Sequence, residues 1–392
     1  MRLKFGVFMA PFHPAGQHPT LALRRDIELV ALLDRLGYDE VWAGEHHSGG
    51  WELIASPELF LAAAGEHTTR IMLGTGVVSL PYHHPFMVAD RIVLLDHLTR
   101  GRAMLGVGPG ALPGDASFLG ITPTRQREQM DEALGIILRL LRDDEPVTYK
   151  SDWFELHEAQ LQLKPYQRPT MPVAVASTIS PAGMTCAGKH GAGILSIASY
   201  TQEGLAAVTT QWGYAEEAAQ KAGQPPPDRA AWRLVVPFHL AESREEAISD
   251  IEDGVFHWYN DYLIHTLGAP GRQPVESGRA LAEAMNSFGG AIVGTPDDAI
   301  ASIRRLLEIS GGFGCLLGLA HEWAPREKIE RSYELMARYV MPEFQDTTSW
   351  IKRSHDWTLE HKESLMAGTQ QAILKAIQEG GGPMPEGMQP PS

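Results

Sequence analysis

Glu45-His46-His47 sets a carboxylate beside two imidazoles, groups suited to proton transfer or metal ligation. The triplet closes the run Tyr38-Asp39-Glu40-Val41-Trp42-Ala43-Gly44, in which Val41 and Ala43 alternate with polar neighbours as in a strand. It therefore falls at a strand's C-terminal end, ahead of Gly49-Gly50, which is where barrels of alternating strands and helices carry their chemistry. His46-His47 and His83-His84 also raise metal binding. Adjacent residues of an extended chain point to opposite sides, so one pair rarely supplies two ligands to one ion. Where barrel hydrolases show His-x-His, this chain has Met9-Ala10-Pro11-Phe12-His13. A metal-dependent hydrolase is thus the weakest reading.

Other candidates surround a ligand rather than react with it. Gly74-Thr75-Gly76-Val77-Val78-Ser79 places two glycines where backbone must approach something closely, a bulky ligand or simply the barrel's own packing. Gly106-Val107-Gly108-Pro109-Gly110, continuing through Ala111, has the look of a dinucleotide fingerprint. Pro109, and the lack of a helix directly behind, make it instead a loop whose amides face a ligand. Ala176-Ser177-Thr178-Ile179-Ser180-Pro181 ends a strand in hydroxyls just before a helix, an anion site built from side chains and amides. Capping of that helix by Ser180 explains only one hydroxyl. Arg127 can add a fixed cation, and with no Walker lysine the set suits a monophosphate. Phe12, Trp51, Tyr82 and Trp153 are candidates for an apolar substrate wall, with plain core packing as the alternative for each.

The elements that must position these groups recur in a fixed order. Residues 3–9 are strand-like, and Thr20 begins a helix to 36. The strand ending in Glu45-His46-His47 follows, and Ser56-Pro57-Glu58 opens the next helix. Residues 71–80 make a third strand, Pro85 opens a third helix, 103–107 make a fourth strand, and a helix spans 124–141. Residues 147–163, with aromatic and polar residues alternating, read as an inserted hairpin. Strand 173–176, a helix from Pro181, strand 194–198, helix 202–222, strand 234–240 and helix 243–262 resume the order. Residues 263–290, punctuated by Gly and Pro, are expected to be an excursion or a mobile loop over the site. A helix from Thr295, an eighth strand over 315–320 and a helix over 326–339 complete the set.

This alternation predicts an α/β chain folded as a closed (β/α)8 TIM barrel over 1–345, with the hairpin and the loop inserted. Residues 346–392 are a C-terminal extension, in which 350–378 can form one more helix and the Gly/Pro-rich 380–392 is expected to be disordered. The chain of 392 residues is 44% hydrophobic and 21% charged, as a globular protein with a large core would be. Its net charge of −15 repels nucleic acid and anionic membranes. Two cysteines, Cys186 and Cys315, cannot build a disulfide framework and read as small core residues. Lys4 interrupts the first apolar run and Pro11 closes it, so a reduced, cytoplasmic protein without a membrane span is expected.

Taken in sequence, these motifs resemble the bacterial luciferase-like, flavin-dependent monooxygenases from about Leu3 to Glu343. The matching stretches are Gly37 to Trp42 leading into Glu45-His46-His47, Leu73-Gly74-Thr75-Gly76, Leu80-Pro81 with His84-Pro85, Leu95-Asp96 with Gly101-Arg102, and Gly106-Val107-Gly108. Arg127 with Met130-Asp131, His257-Trp258-Tyr259, Val293-Gly294-Thr295-Pro296 and Val340-Met341-Pro342 continue the match. Glu45-His46 followed by Trp51-Glu52 and Ser56-Pro57-Glu58-Leu59 is most similar to the branch acting on terpenes and cyclic ketones, which includes limonene and diketocamphane monooxygenases.

The resemblance implies a barrel that binds FMN as FMNH2, supplied by diffusion from a separate flavin reductase. With O2 this gives a flavin C4a-hydroperoxide that oxygenates a small apolar substrate, a cyclic terpenoid by limonene 1,2-monooxygenase-like epoxidation or a cyclic ketone by Baeyer-Villiger insertion. It implies a homodimer, His46 as acid/base beside the flavin with Glu45 as its catalytic neighbour, and a non-proline cis peptide at Gly76-Val77 under the ring system. Arg127, Ser177 and Thr178 fall at phosphate-binding positions, with Ile179 and Ser180 in the same turn and Gly108, Pro109 and Ala111 in the facing loop. Two departures argue against light emission: Gly108-Pro109 stands where luciferase has Cys-Arg, and Ser177 replaces an acidic residue. An oxidoreductase using the deazaflavin F420 and a flavin-binding relative without turnover are the alternatives on the same barrel.

Overall fold

A computed structural model describes residues 2–10, 12–197, 199–269 and 271–381. Its first compact unit, Met1–Phe344, is built on eight parallel strands. They are β1 (Lys4–Met9), β2 (Glu40–Ala43), β3 (Met72–Thr75), β4 (Ala103–Gly108), β5 (Val173–Ser177), β6 (Gly193–Ser196), β7 (Trp232–Val236) and β8 (Cys315–Leu319). Each pairs with the next and β8 pairs back onto β1, which closes the sheet. These are the eight barrel strands the alternation predicts, and their near-continuous apolar runs reflect burial on both faces.

Two apolar layers result. Outward-facing strand residues such as Val7, Val41, Leu73 and Leu105 pack with the helix ring, while Phe8, Trp42, Met104, Leu195 and Leu317 fill the interior. Trp42 dictates its neighbours: a Cβ on Gly74 would stand 2.6 Å from the indole, and one on Gly106 would also meet the Thr75 carbonyl at 2.0 Å. Inside the same wall Arg233 donates to both oxygens of Glu40, and the Trp42 indole N–H donates to Glu40 as well.

Several boundaries differ from the sequence expectation for identifiable reasons. The first helix is Pro19–Leu36, with Pro19 rather than Thr20 opening it and no side-chain cap bond at His18. The third strand is interrupted at the Gly76-Val77 peptide, which is cis, and resumes as Val78–Ser79 beside β4. The seventh strand stops at Val236 because Pro237 lacks a ladder N–H, and Phe238–Leu240 instead pairs with Ile292–Gly294. A short helix, Pro113–Phe118, occupies the loop after β4. Residues 202–222 form two helices, Gln202–Thr210 and Trp212–Ala222, meeting at Gln211.

The span 263–290 is not a bare loop. Helix Arg244–His257 runs on as a π-helix over Trp258–Thr266, and Ser277 caps a further helix, Gly278–Phe288, by accepting the Ala280 N–H. The inserted hairpin pairs Val147–Lys150 with Glu155–Ala159. In the second compact unit, Gln345–Ser392, one helix spans Ser349–Gly380, and none of its residues is buried. The expectation of disorder at 380–392 concerns residues that from 382 onward lie outside the described ones, as does Ala198 at the expected end of the sixth strand.

Candidate active site

Where β2 ends, the backbone is pinned on three sides: Gly44 N–H donates to Met9, Gly76 N–H to Ala43, and His46 N–H to Ile54. The His46 ring is thereby held between two carboxylates. Its Nδ1 lies 3.2 Å from Asp115 Oδ2 and its Nε2 lies 3.3 Å from Glu52 Oε2. Asp115, fully buried on the short helix Pro113–Phe118, also accepts the His47 N–H and the Ser48 hydroxyl. Burial alone would raise the Asp115 pKa, but these donors hold it below the ordinary carboxylate value. Burial alone would likewise strip the His46 proton. The charge of Glu52, the Asp115 contact and the charge of Glu45 outweigh that and raise its pKa.

Glu45 is a buried hub. Its carboxylate accepts Ser79 N–H at 2.7 Å, His83 Nε2 at 2.6 Å and His47 Nε2 at 3.0 Å. Desolvation works against the charge, yet His83, the Ser79 amide and His47 leave its pKa lowered. The histidine pairs therefore do not converge: His46 turns to Asp115 and Glu52, whereas His47 and His83 share Glu45. Elsewhere Asp131, Cys186 and His190 cluster, but the Lys189 ammonium already occupies that carboxylate, which disfavours a cation.

One cavity of about 450 Å³ opens at the C-terminal ends of the strands. His46, Glu45, Gly76, Val77 and Arg127 line it, together with Pro109, Ala111, Thr178 and Ser180. Arg127 is exposed and forms no ion pair among the described residues, and the hydroxyls of Thr178 and Ser180 make no hydrogen bond there. They adjoin the N-terminus of helix Ala182–His190, whose Gly183 lies against β5: a Cβ there would stand 2.2 Å from the Ala176 carbonyl. An uncommitted guanidinium, two free hydroxyls and helix amides form a donor set that fits a phosphate monoester.

Three of the expected ligand residues, two in this turn and one in the facing loop, lie off the cavity surface. Ser177 is buried, and its hydroxyl donates to Gln211 Oε1 at 3.3 Å. Ile179 is 53% exposed, and its carbonyl accepts from Gln211 Nε2. The hydroxyls of this turn that line the cavity are therefore those of Thr178 and Ser180, with Gln211 fixing the turn behind them. Gly108 lies beneath Val77, whose Cγ2 a Cβ there would meet at 2.5 Å, so it makes room for Val77 and does not line the cavity.

Of the four aromatic candidates, only Phe12 lines the cavity. Trp51 stands one layer back, its ring 5.3 Å from that of Tyr262. Tyr82 is the acceptor for Gln126 Nε2 at 3.2 Å, and burial followed by the nearby charge of Asp115 pushes its pKa up to about 12. Trp153 belongs to the hairpin and donates to Glu132 at 2.6 Å, so it anchors the insertion to helix Gln126–Arg142. The apolar wall comes instead from Tyr200, Tyr262, Leu263, Leu267, Leu112 and Phe12. Sequence reasoning gave no site role to Asp115, Tyr262 and Gln211, nor to Glu52, which it named only within the Trp51-Glu52 match. Asp115 had a faint signal, an acid in the first turn behind Pro113, whereas the others lack a local one.

A family model described as luciferase-like monooxygenase matches residues 3–312. The 4-hydroxyprotoasukamycin monooxygenase of Streptomyces nodosus subsp. asukaensis is 47% identical over 371 residues, 94% of this chain and 100% of that protein. Limonene 1,2-monooxygenase of Rhodococcus erythropolis is 46% identical over 375 residues, 96% of this chain and 95% of that one. Among solved structures, the oxygenating constituent of 3,6-diketocamphane monooxygenase from Pseudomonas putida is a type II Baeyer-Villiger enzyme in complex with FMN. It aligns with a TM-score of 0.74 at 26% identity, over 88% of this chain and 99% of that one. No helix among the described residues is long and apolar enough to cross a membrane.

Proposed function

The chain belongs to the luciferase-like monooxygenases, and from that membership we propose that it inserts one atom of O2 into a small, apolar cyclic substrate, a terpenoid or a cyclic ketone, using FMNH2 made by a separate reductase. The observation that carries this reading is a single cavity holding His46, fixed by carboxylates, together with the uncommitted donor set of Arg127, Thr178 and Ser180. When bound, reduced FMN supplies the electrons with which O2 is activated for transfer of one oxygen atom.

The chain's own groups would do the rest. Arg127, Thr178, Ser180 and the amides ahead of Ala182 would hold the phosphate. Phe12, Leu263 and Leu267 would exclude water and seat the substrate, as apolar pockets do. His46 would hold a proton beside the reacting atoms. Supply of electrons from outside the chain is supported by the diketocamphane relative, which is the oxygenating constituent of its enzyme.

The test is to mix the protein with chemically reduced FMN under 18O2 and a panel of cyclic terpenes and ketones, and to weigh the products. Incorporation of one labelled oxygen is expected, and an epoxide or a lactone identifies the type of insertion. Flavin reoxidation with no labelled product from any of the panel would reject the reading. Hydride transfer with F420 and no uptake of O2 would replace it with the deazaflavin alternative.

A further inference from the structure

Both nitrogens of His46 face carboxylates. Nδ1 faces Asp115 at 3.2 Å and Nε2 faces Glu52 at 3.3 Å. A carboxylate can only accept, so the Nδ1 contact is a donation to Asp115, and the Glu52 carboxylate beside Nε2 supplies the negative charge that favours a second proton there. Asp115 is committed to that role by its two further donors, the His47 amide and the Ser48 hydroxyl. Glu52 is committed from another direction. It is buried, and its second oxygen accepts the hydroxyl of Tyr262, which reaches in from the π-helix Trp258–Thr266. The Tyr262 ring is braced in turn by Trp51 at 5.3 Å and Phe12 at 5.1 Å. That contact joins residues 210 positions apart and ties the cavity's outer wall to its reactive end.

We propose that Glu52, oriented by the Tyr262 hydroxyl, is a positioning residue that keeps the His46 ring doubly protonated, so that His46 acts in the cavity as a fixed cation rather than as a free base. The role beside the cofactor rests on the functional reading above; the protonation state does not. Around the ring, Glu45 lies in the same turn with His47 and His83 on its carboxylate, Asp115 and Glu52 touch it, Tyr262 lies behind Glu52, and Tyr82 stands near Asp115. Arg127 is the opposing cation on the cavity wall. Acids outnumber cations near the ring, which favours the imidazolium electrostatically. A fixed imidazolium would stabilise negative charge developing on bound oxygen without surrendering its own proton.

The experiment is an NMR titration of His46 in cofactor-free protein labelled at histidine, with the resonance assigned by its loss in His46→Gln. In the unaltered chain His46 is expected to be doubly protonated at neutral pH. In Glu52→Gln, which keeps the shape and removes the charge, the midpoint should fall by about one pH unit or more. Tyr262→Phe should give a smaller fall, and Glu52→Asp should restore part of it. An unchanged midpoint in both Glu52→Gln and Tyr262→Phe, or a neutral His46 at pH 7 in the unaltered chain, would overturn the proposal. The pH profile of kcat for labelled-oxygen transfer should move with the NMR midpoint, and a profile that stays in place would overturn the cationic role. If no product formed at all, the functional reading would fail while the titration result stood, so the two failures are separable.

Discussion

Arg233 and Glu40 meet within the barrel wall, Nε 2.6 Å from Oε2 and Nη2 3.1 Å from Oε1, with both side chains almost wholly removed from solvent. Desolvation penalises Glu40, yet the charge and hydrogen bonds of Arg233 leave its pKa lowered. Removing one member of such a pair strands the other. Glu40→Ala should therefore lose about 3–5 kcal/mol of stability, read from the denaturant midpoint. The double change Glu40→Leu with Arg233→Met should recover most of that loss; a double variant as weak as the single one would refute the assignment.

His13 supplies a pH dependence of opposite sign. Its Nε2 is 2.9 Å from Asp26 and its Nδ1 is 3.1 Å from Glu322, in a buried contact between the first and last strand ends. Burial would lower the His13 pKa, but Asp26 and Glu322 together raise it to about 9. Burial weighs more heavily on Asp26 and raises its own pKa, while the histidine has a carboxylate beside each ring nitrogen. With the folded pKa above the unfolded one, the stabilisation is complete below about pH 6.5 and fades as pH rises through about 9. Melting curves of the chain and of His13→Gln should differ most near pH 6 and converge by pH 10. A constant gap would show that the loss is one of packing.

Arg127 can be tested with two flavins. Arg127→Ala should weaken FMN binding by roughly ten- to a hundredfold, the equivalent of the about 1.5–3 kcal/mol of a charge-assisted contact. Riboflavin, which has no phosphate, should bind the variant as it binds the parent. Equal losses for both ligands would place Arg127 elsewhere in the site.

Substrate choice should follow the cavity wall and ignore the hairpin. Leu267→Ala enlarges the roughly 450 Å³ cavity and should shift the product profile toward bulkier rings. Trp153→Phe removes one of three hydrogen bonds to Glu132, alongside those from Tyr149 and Ser151. It should lower stability by about 1 kcal/mol and leave the product profile alone. Gas chromatography on a mixed substrate panel distinguishes the two.

The barrel was legible because each strand is a short apolar run between turn residues, a signal that lies within a few neighbouring positions. His46 and Arg127 were legible as placements for the same reason: strand ends and helix starts can be located, and the C-terminal rim is where they matter. Their partners were not. Asp115 lies 69 positions from His46, and Tyr262 lies 210 from Glu52. Only the closed sheet brings such residues together. Ser177 misled because a hydroxyl at a strand end can turn either way, and Gln211 claims it from the far side. The helix Gly278–Phe288 was hidden by its flanking glycines and Pro274, although Ser277 stood at its cap. Trp153 misled because an indole's size says nothing about which side of the helix ring it faces.

Pro237 leaves one more trace. Beyond it, Phe238–Leu240 is clasped to Ile292–Gly294, and Ala241 N–H reaches the Gly294 carbonyl while Ile292 N–H reaches that of Pro237. Everything from 241 to 291, including Tyr262, Leu263 and Leu267, hangs between the two halves of that clasp. The span is a separate ceiling, fastened to the barrel at this clasp and again where Tyr262 meets Glu52. A change of length or sequence within it would therefore reshape the roof of the pocket while the eight staves of the cylinder keep their pairing.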